Sequence, residues 1–254
     1  MDLQPAAIAD ASSTLDAPPR VAAGSLASQI VAVASLVSAV TVLSLLVARL
    51  APAVGPAWWI PLVVLAAGAT ADLVSGIVHW IADTWGRESW PVVGPRVLRP
   101  FRVHHVNPAD MLGRGFLDLN GDVALITLPI LAAAWLMPIE TAAGQVGAVF
   151  CPAWGAWALP TNQVHQWAHM TRPPRAVRWL QRRRVILPPA VHRVHHASPY
   201  ATHYCITTGW NNGWTARVGF FAALERIVTR TTGLVPRADE ASRADEARAD
   251  EAPS

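Results

Sequence analysis

The residues in this sequence best suited to chemistry are its nine histidines, all of which lie between His79 and His203. Neutral imidazole is a good ligand for iron, and it can enter a membrane protein without bringing a net charge. The clustering therefore predicts a metal centre. Its predicted ligands are His79, Asp83, His104, His105, His165, His169, His192, His195 and His196.

The spacing of these residues indicates how they could converge. His79 and Asp83 are four residues apart, as are His165 and His169, so each pair shares one face of a helix. Residues 192–196 form an H-x-x-H-H cluster. Each pattern alone is often structural, for example a polar helix face, but together they favour one shared site.

Nine candidate ligands are too many for one tetrahedral metal ion, and they suit two irons. An unactivated C–H bond has no acidic proton, so attacking it requires oxygen activated by a metal or cofactor. The pattern thus favours a diiron oxidoreductase. Two other classes remain open: a bis-histidine haem protein for electron transfer, which leaves H-x-x-H-H unexplained, and a zinc hydrolase, for which the chain has no H-E-x-x-H.

The elements that must position these residues are membrane helices. Hydrophobic residues make up 52% of the 254 residues and charged residues 15%, whereas soluble domains average about 25% charged. We predict an all-α integral membrane protein of about four transmembrane helices with a histidine-rich cap. The predicted spans are 25–47, 57–81, 123–139 and 142 to about 169, the last kinked at Pro152 and Pro160.

Charge and composition divide the rest of the chain. Residues 1–24 and 237–254 are predicted to be disordered tails around a membrane domain at 25–236, and the second tail repeats R-A-D-E-A. Arginines concentrate in the loops at 83–122 and 172–193, which predicts that both termini and the metal site are cytoplasmic, in the inner or cell membrane if the source is bacterial. The run 172–184 suits a helix beneath anionic headgroups, and nucleic acid is not an expected partner.

Several stretches resemble the CarF-type lipid desaturases, the family of the plasmanylethanolamine desaturases. More distantly, they are similar to the plant enzyme that places a trans double bond in phosphatidylglycerol. The resemblance runs from about residue 70 to about 240. The stretches that carry it are 72–86, 99–105, 120–122, 161–169, 192–199 and 204–211.

The resemblance implies a function for the predicted metal centre. It implies two irons, molecular oxygen as co-substrate, and two electrons from an external ferredoxin- or cytochrome-type donor with a reductase. The implied substrate is a membrane phospholipid carrying a 1-O-alkyl chain, and the product is a vinyl ether. An acyl-lipid desaturase or hydroxylase acting on a different bond is the alternative.

At two positions this sequence differs from the pattern of the family that it resembles. Arg114 and Tyr200 stand where relatives often have histidine, and His203 follows three residues after Tyr200. Arginine stays protonated and cannot ligate iron, so one ligand is either missing or replaced by Asp110, Asp118 or water, and His203 is a candidate to replace the second. Residues expected to support the ligands or meet the substrate are Asp72, Asp118, Asn120, Asp122, Asn162, His203 and Tyr204.

Overall fold

The computed structural model describes residues 25–237, apart from the side chain of Val106, and this part of the chain contains helices and no strand. The predicted all-α class is confirmed. The predicted tail at 1–24 lies outside the described residues, and so does the predicted C-terminal tail except for Arg237.

Eleven α-helices are present in the described residues. They are α1 (Leu26–Val54), α2 (Ile60–Thr84), α3 (Arg99–Val106), α4 (Ala109–Gly113), α5 (Phe116–Ala133), α6 (Ala142–Ala158), α7 (Thr161–His169), α8 (Arg175–Arg182), α9 (Pro189–His195), α10 (Asn212–Arg217) and α11 (Phe220–Thr232). A π-helical turn at Gly94–Leu98 leads into α3, and a 3-10 turn at Ala134–Leu136 follows α5.

Three helices in the described residues are long and apolar enough to cross a membrane: α1, α2, and α5 together with its 3-10 turn. They make the chain an integral membrane protein. The fourth predicted span divides in two. The segment α6 has 17 residues, and the chain turns at Leu159 and Pro160 before α7 begins. A span needs about 17–25 residues, so α6 as a fourth span remains a prediction.

The spans differ from their predicted bounds where charged residues enter the helices. The first continues two turns further, through Arg49, because this guanidinium donates to the Trp135 carbonyl (3.0 Å) and lies over the Trp135 ring (5.2 Å). The third begins at Phe116, seven residues before the predicted start. The first two turns of α5 therefore carry Asp118 and Asp122.

Small residues let the membrane helices approach closely. The segment α1 packs along α5, and α2 packs along α6. A β-carbon added at Gly121 would lie 2.4 Å from the Cβ of Ala32, so only glycine permits this crossing of α5 and α1. The α2–α6 contact is also fixed by the Trp157 indole, which donates to the Val64 carbonyl (3.1 Å).

Residues 94–114 and 161–212, called the cap below, assemble over one end of this bundle. A buried apolar cluster ties α7 to α8 and to the loop after α9. Its members are Val164, Ala168, Val177, Ile186, Leu187 and Ile206. The cap therefore holds α3, α7 and α9, the three short helices that carry most of the histidines, against the end of α2.

Candidate metal centre

The structure brings all nine predicted ligands together in two groups. Within each group, one nitrogen or oxygen atom of every residue lies within 4.8 Å of the others. The first, called the five-histidine group below, contains His104, His165, His169, His192 and His196. The second, called the Asp83 group, contains His79, Asp83, His105 and His195.

The five-histidine group crowds Nε2 atoms around one point. The Nε2 atom of His192 lies 2.8 Å from that of His165, 2.9 Å from that of His169 and 3.0 Å from that of His196. One ring nitrogen holds at most one proton, so these contacts cannot all be hydrogen bonds. The buried Nε2 of His104 has no hydrogen-bond partner in the described part of the chain. Several imidazole nitrogens converging on one point form the donor set of a metal ion.

The Asp83 group also brings imidazole nitrogens close together, and it includes a carboxylate. The Oδ2 atom of Asp83 lies 3.2, 3.6 and 3.5 Å from the Nε2 atoms of His79, His105 and His195. The Nε2 atoms of His105 and His195 are 2.8 Å apart. One carboxylate oxygen facing three imidazole nitrogens in a buried site is again a ligand arrangement.

The two ligand groups lie side by side. His104 and His105 are neighbours on α3 with ring centroids 4.4 Å apart, and His195 and His196 end α9 with centroids 5.5 Å apart. Each of these adjacent pairs contributes one ring to each group. Two ions bound here would therefore be close neighbours.

Burial keeps the imidazoles neutral and able to ligate. Together with the nearby His195, it lowers the pKa of His105 to about 2. Burial likewise lowers the pKa of His196 to about 4, again with a contribution from His195. A metal entering this site would not have to displace protons from these two rings.

Backbone carbonyls select which ring nitrogen is free. The Nδ1–H of His79 donates to the Tyr204 carbonyl (3.0 Å), and the Nδ1–H of His195 donates to the Thr202 carbonyl (2.8 Å). Such bonds fix the tautomer and leave Nε2 with a lone pair toward the metal, as is common around metal-bound histidine.

Asp72 holds the loop that supplies one of these carbonyls. Its buried carboxylate accepts backbone N–H groups from Thr208 (2.7 Å), Gly209 (2.8 Å) and Asn211 (3.0 Å), and also the Asn211 side-chain amide (3.0 Å). Asp72 therefore ties α2 to the loop in which Tyr204 orients His79.

The other predicted supporting residues lie at several distances from the ligands. Tyr204 is buried with its ring 5.1 Å from that of His195. The Asn162 amide donates to the Leu119 carbonyl (2.7 Å), and Asn120 bonds within its own helix, to the Phe116 carbonyl. His203 contacts the hydroxyl of Thr202 and belongs to neither ligand group.

The two positions that depart from the family pattern have other contacts. Arg114 pairs with Asp110 (2.7 Å), and Tyr200 stacks on His105 with centroids 4.8 Å apart and planes 2° from parallel. Neither Asp110 nor Asp118 belongs to a ligand group, so neither replaces a histidine there.

A cavity of about 220 Å³ opens beside the five-histidine group, and His104 is the one member of either group on its wall. One of its walls is apolar and partly open to the surroundings, with Ala71, Val74 and Val78 on α2 and Ile126 on α5. Its rim is charged and holds Arg96, Asp110, Arg114, Asp118 and Asp122. This arrangement can place an alkyl chain beneath a polar headgroup.

Sequence reasoning missed several residues that hold the site. Arg102 counted only as a loop charge, but its buried guanidinium donates to the carbonyls of Ala82, Trp85 and Gly86 at the end of α2. Gln166 received no role, yet its amide donates to two carbonyls of the α4 segment. In the sequence, only the proximity of Arg102 to His104 and of Gln166 to His165 indicates that these two residues support the site.

Known proteins resemble this chain over most of its length. The model of a family described as lipid desaturase domain matches residues 68–239. The chain is 43% identical over 210 residues to plasmanylethanolamine desaturase of Myxococcus xanthus, covering 82% of this chain and 74% of that protein. It is 42% identical over 191 residues to plasmanylethanolamine desaturase 1 of Mus musculus, covering 71% and 70%.

A plant relative is more distant. The chain is 35% identical over 173 residues to chloroplastic fatty acid desaturase 4 of Arabidopsis thaliana, covering 66% of this chain and 51% of that protein. No solved structure matches the chain. The resemblance predicted from the motifs is confirmed.

Proposed function

Because this chain belongs to the lipid desaturase family, and is an oxidoreductase on that ground, we propose that it is a diiron enzyme that removes two hydrogens from adjacent carbons of a lipid chain. The observation that carries the proposal is the pair of adjacent, largely buried ligand groups, one with five histidines and one with three histidines and Asp83. Eight imidazoles and one carboxylate fit two irons better than one metal ion.

The proposed reaction balances with an external reductant. The R–CH2–CH2–R′ segment of the lipid, O2, two electrons and two protons give R–CH=CH–R′ and two water molecules. Bound iron would supply the activation of oxygen that cleavage of unactivated C–H bonds requires. The electrons would come from a separate ferredoxin- or cytochrome-type protein with its reductase.

The chain's own residues prepare the site for this chemistry. Burial and the Nδ1 hydrogen bonds keep the Nε2 atoms of His79 and His195 available as ligands. Asp83 adds a carboxylate oxygen to its group. The apolar cavity wall would lie along the lipid chain beside His104.

The proposed substrate is a 1-O-alkyl phospholipid, and the proposed product is its vinyl ether. Two relatives above 40% identity are named for plasmanylethanolamine. The cavity supports the same choice, because its charged rim and His104 bound one small space. Carbons close to the headgroup would then lie nearest the metal centre.

A second candidate is an acyl-lipid desaturase, favoured by the similarity to fatty acid desaturase 4. It would use the same metal centre on a bond of an ester-linked chain. The two candidates differ in product: a vinyl ether releases a fatty aldehyde in mild acid, whereas an unsaturated ester does not.

Expression in a bacterial host that lacks vinyl ethers tests the proposed function. With 1-O-alkylglycerol supplied and a matched electron donor co-expressed, we expect acid-released aldehydes in the lipid extract, and none with a His104→Ala variant. New double bonds in ester-linked chains without aldehydes would instead establish the second candidate.

A further inference from the structure

The rim of the cavity is charged along one edge, formed by α4 and the first turns of α5. Asp118, Asp122 and Ile126 line the cavity at intervals of four residues on α5. Each interval advances about 6 Å along a helix. The lining of α5 therefore changes from carboxylates to an apolar side chain over about two turns, which separates a headgroup region from a chain region.

The charges on the rim are not all neutralised. Arg96 pairs with Asp122 (2.5 Å), and Arg114 pairs with Asp110 through Nε (2.8 Å) and Nη2 (2.7 Å). The Nη1 of Arg114 has no hydrogen bond to any described residue. Asp118 is exposed and has no ion pair in the described part of the chain. The edge thus offers free guanidinium N–H groups together with one unpaired carboxylate.

Hydrogen bonds hold this edge at a fixed position relative to the five-histidine group. The Gln166 amide, on α7 between His165 and His169, donates to the carbonyls of Met111 (2.8 Å) and Arg114 (3.1 Å). Asn162, on the same helix, donates to the carbonyl of Leu119 (2.7 Å), next to Asp118. A ligand held by the edge would therefore be held at a set distance from the metals.

We propose that Arg114 and Asp118 bind the headgroup of a zwitterionic phospholipid. The Arg114 guanidinium, which stays paired with Asp110, takes the phosphodiester, and the Asp118 carboxylate takes the ammonium group. Guanidinium N–H groups fit phosphate oxygens well. The inference rests on the proposed function and deepens it, since binding here selects which carbons lie against His104.

The test compares three lipids on the purified, iron-loaded enzyme with its electron donor. They are 1-O-alkyl-2-acyl-glycerophosphoethanolamine, its N-acetyl derivative, which keeps the phosphate and loses the ammonium charge, and 1-O-alkyl-2-acylglycerol, which lacks both. We expect the wild type to prefer them in that order, by kcat/KM.

Asp118→Asn should reduce the preference for the amine over its N-acetyl derivative by about tenfold, the typical worth of one charged hydrogen bond. Glu140→Gln, an exposed carboxylate outside the cavity, is the matched control and should leave the preference unchanged.

Arg114→Gln should raise KM for both phosphate-bearing lipids about tenfold, with kcat and iron content little changed and with no effect on 1-O-alkyl-2-acylglycerol. Arg230→Gln, an exposed arginine outside the cavity, is its control. If Arg114→Gln loses iron, Arg114→Lys replaces it: the ammonium keeps the charge but loses the planar pair of N–H groups, so KM for both phosphate-bearing lipids should still rise, by less than tenfold, and an unchanged KM would overturn the assignment of Arg114.

The Asp110→Asn variant distinguishes phosphate binding by Arg114 from a purely structural ion pair between Arg114 and Asp110. If Arg114 only stabilised α4 through Asp110, Asp110→Asn would raise KM as much as Arg114→Gln does. If Arg114 binds phosphate, Asp110→Asn should not raise KM.

Two results would contradict the inference in distinguishable ways. Unchanged preferences in both Asp118→Asn and Arg114→Gln, in an active enzyme, would overturn the headgroup site and leave the desaturase function standing. No desaturation of any ether or ester lipid by the iron-loaded wild type would overturn the proposed function, and the headgroup site with it.

Discussion

The role of each histidine near the metal centre depends on the group that its second ring nitrogen contacts and on the side chains around it. His192 is the member of the five-histidine group with the most contacts, because its Nε2 lies within 3.0 Å of three other Nε2 atoms. His203, only seven residues beyond His196, instead contacts the Thr202 hydroxyl. Residues this close in sequence are expected to behave very differently on substitution.

His192→Ala should bind markedly less iron and show no measurable turnover, because it removes a ligand and opens a coordination position. His203→Ala is the matched control and should keep its iron. We expect the same loss of turnover for the alanine variants of His79, His104, His105, His169, His195 and His196. Elemental analysis and product assay on the same samples give both quantities, and near-normal activity in two of these variants would place the site elsewhere.

At the scale of elements, the metal centre depends on the contact between α2 and the loop before α10. Asp72 accepts four hydrogen bonds from this loop, and the Tyr204 carbonyl within the same loop orients His79. One residue of α2 thereby positions another, seven residues further along the same helix, through a loop more than 120 residues away in sequence.

Asp72→Asn should loosen this loop. The asparagine oxygen can still accept from Thr208 and Gly209, but its NH2 group would face two donors of Asn211. Leaving buried donors unsatisfied costs about 1–3 kcal/mol, so we expect a lower unfolding temperature in detergent and weaker iron retention. Ser75→Ala, which removes a single bond to the same loop (3.1 Å), is the control and should cost less. If the two variants lowered the unfolding temperature and the iron retention equally, Asp72 would not be the main contact that holds this loop.

The sequence reveals those parts of the site that depend on local spacing. The pairs His79–Asp83 and His165–His169 share a helix face by periodicity alone, and apolar length predicts α1 and α2. The sequence does not reveal the contacts that depend on tertiary packing. The burial of Arg102 against carbonyls of α2 and the bond from Gln166 to α4 depend on where distant segments meet, and periodicity carries no information on that.

For the whole molecule, one shared metal centre requires that all ligand-bearing segments reach the same side of the membrane. The loop after α2 and the segment after α8 should both face the cytoplasm, and the α5–α6 connection should face the opposite side. Cysteines introduced one at a time at Glu88 and Arg183, in a background that lacks the partly exposed Cys151 and keeps the buried Cys205, should react with an impermeant maleimide only from the cytoplasmic side. A cysteine at Glu140 should react only from the other side, and labelling of Glu88 and Arg183 from opposite faces would contradict the topology.

The central claim is that two irons bind per chain, one at the five-histidine group and one at the Asp83 group. Elemental analysis of protein purified from iron-supplemented cells, set against protein concentration from amino-acid analysis, tests it most directly. We expect about two irons per chain and little zinc, because nine ligands exceed what one tetrahedral ion can use. One zinc without iron, or one haem iron with a Soret band, would contradict the diiron centre.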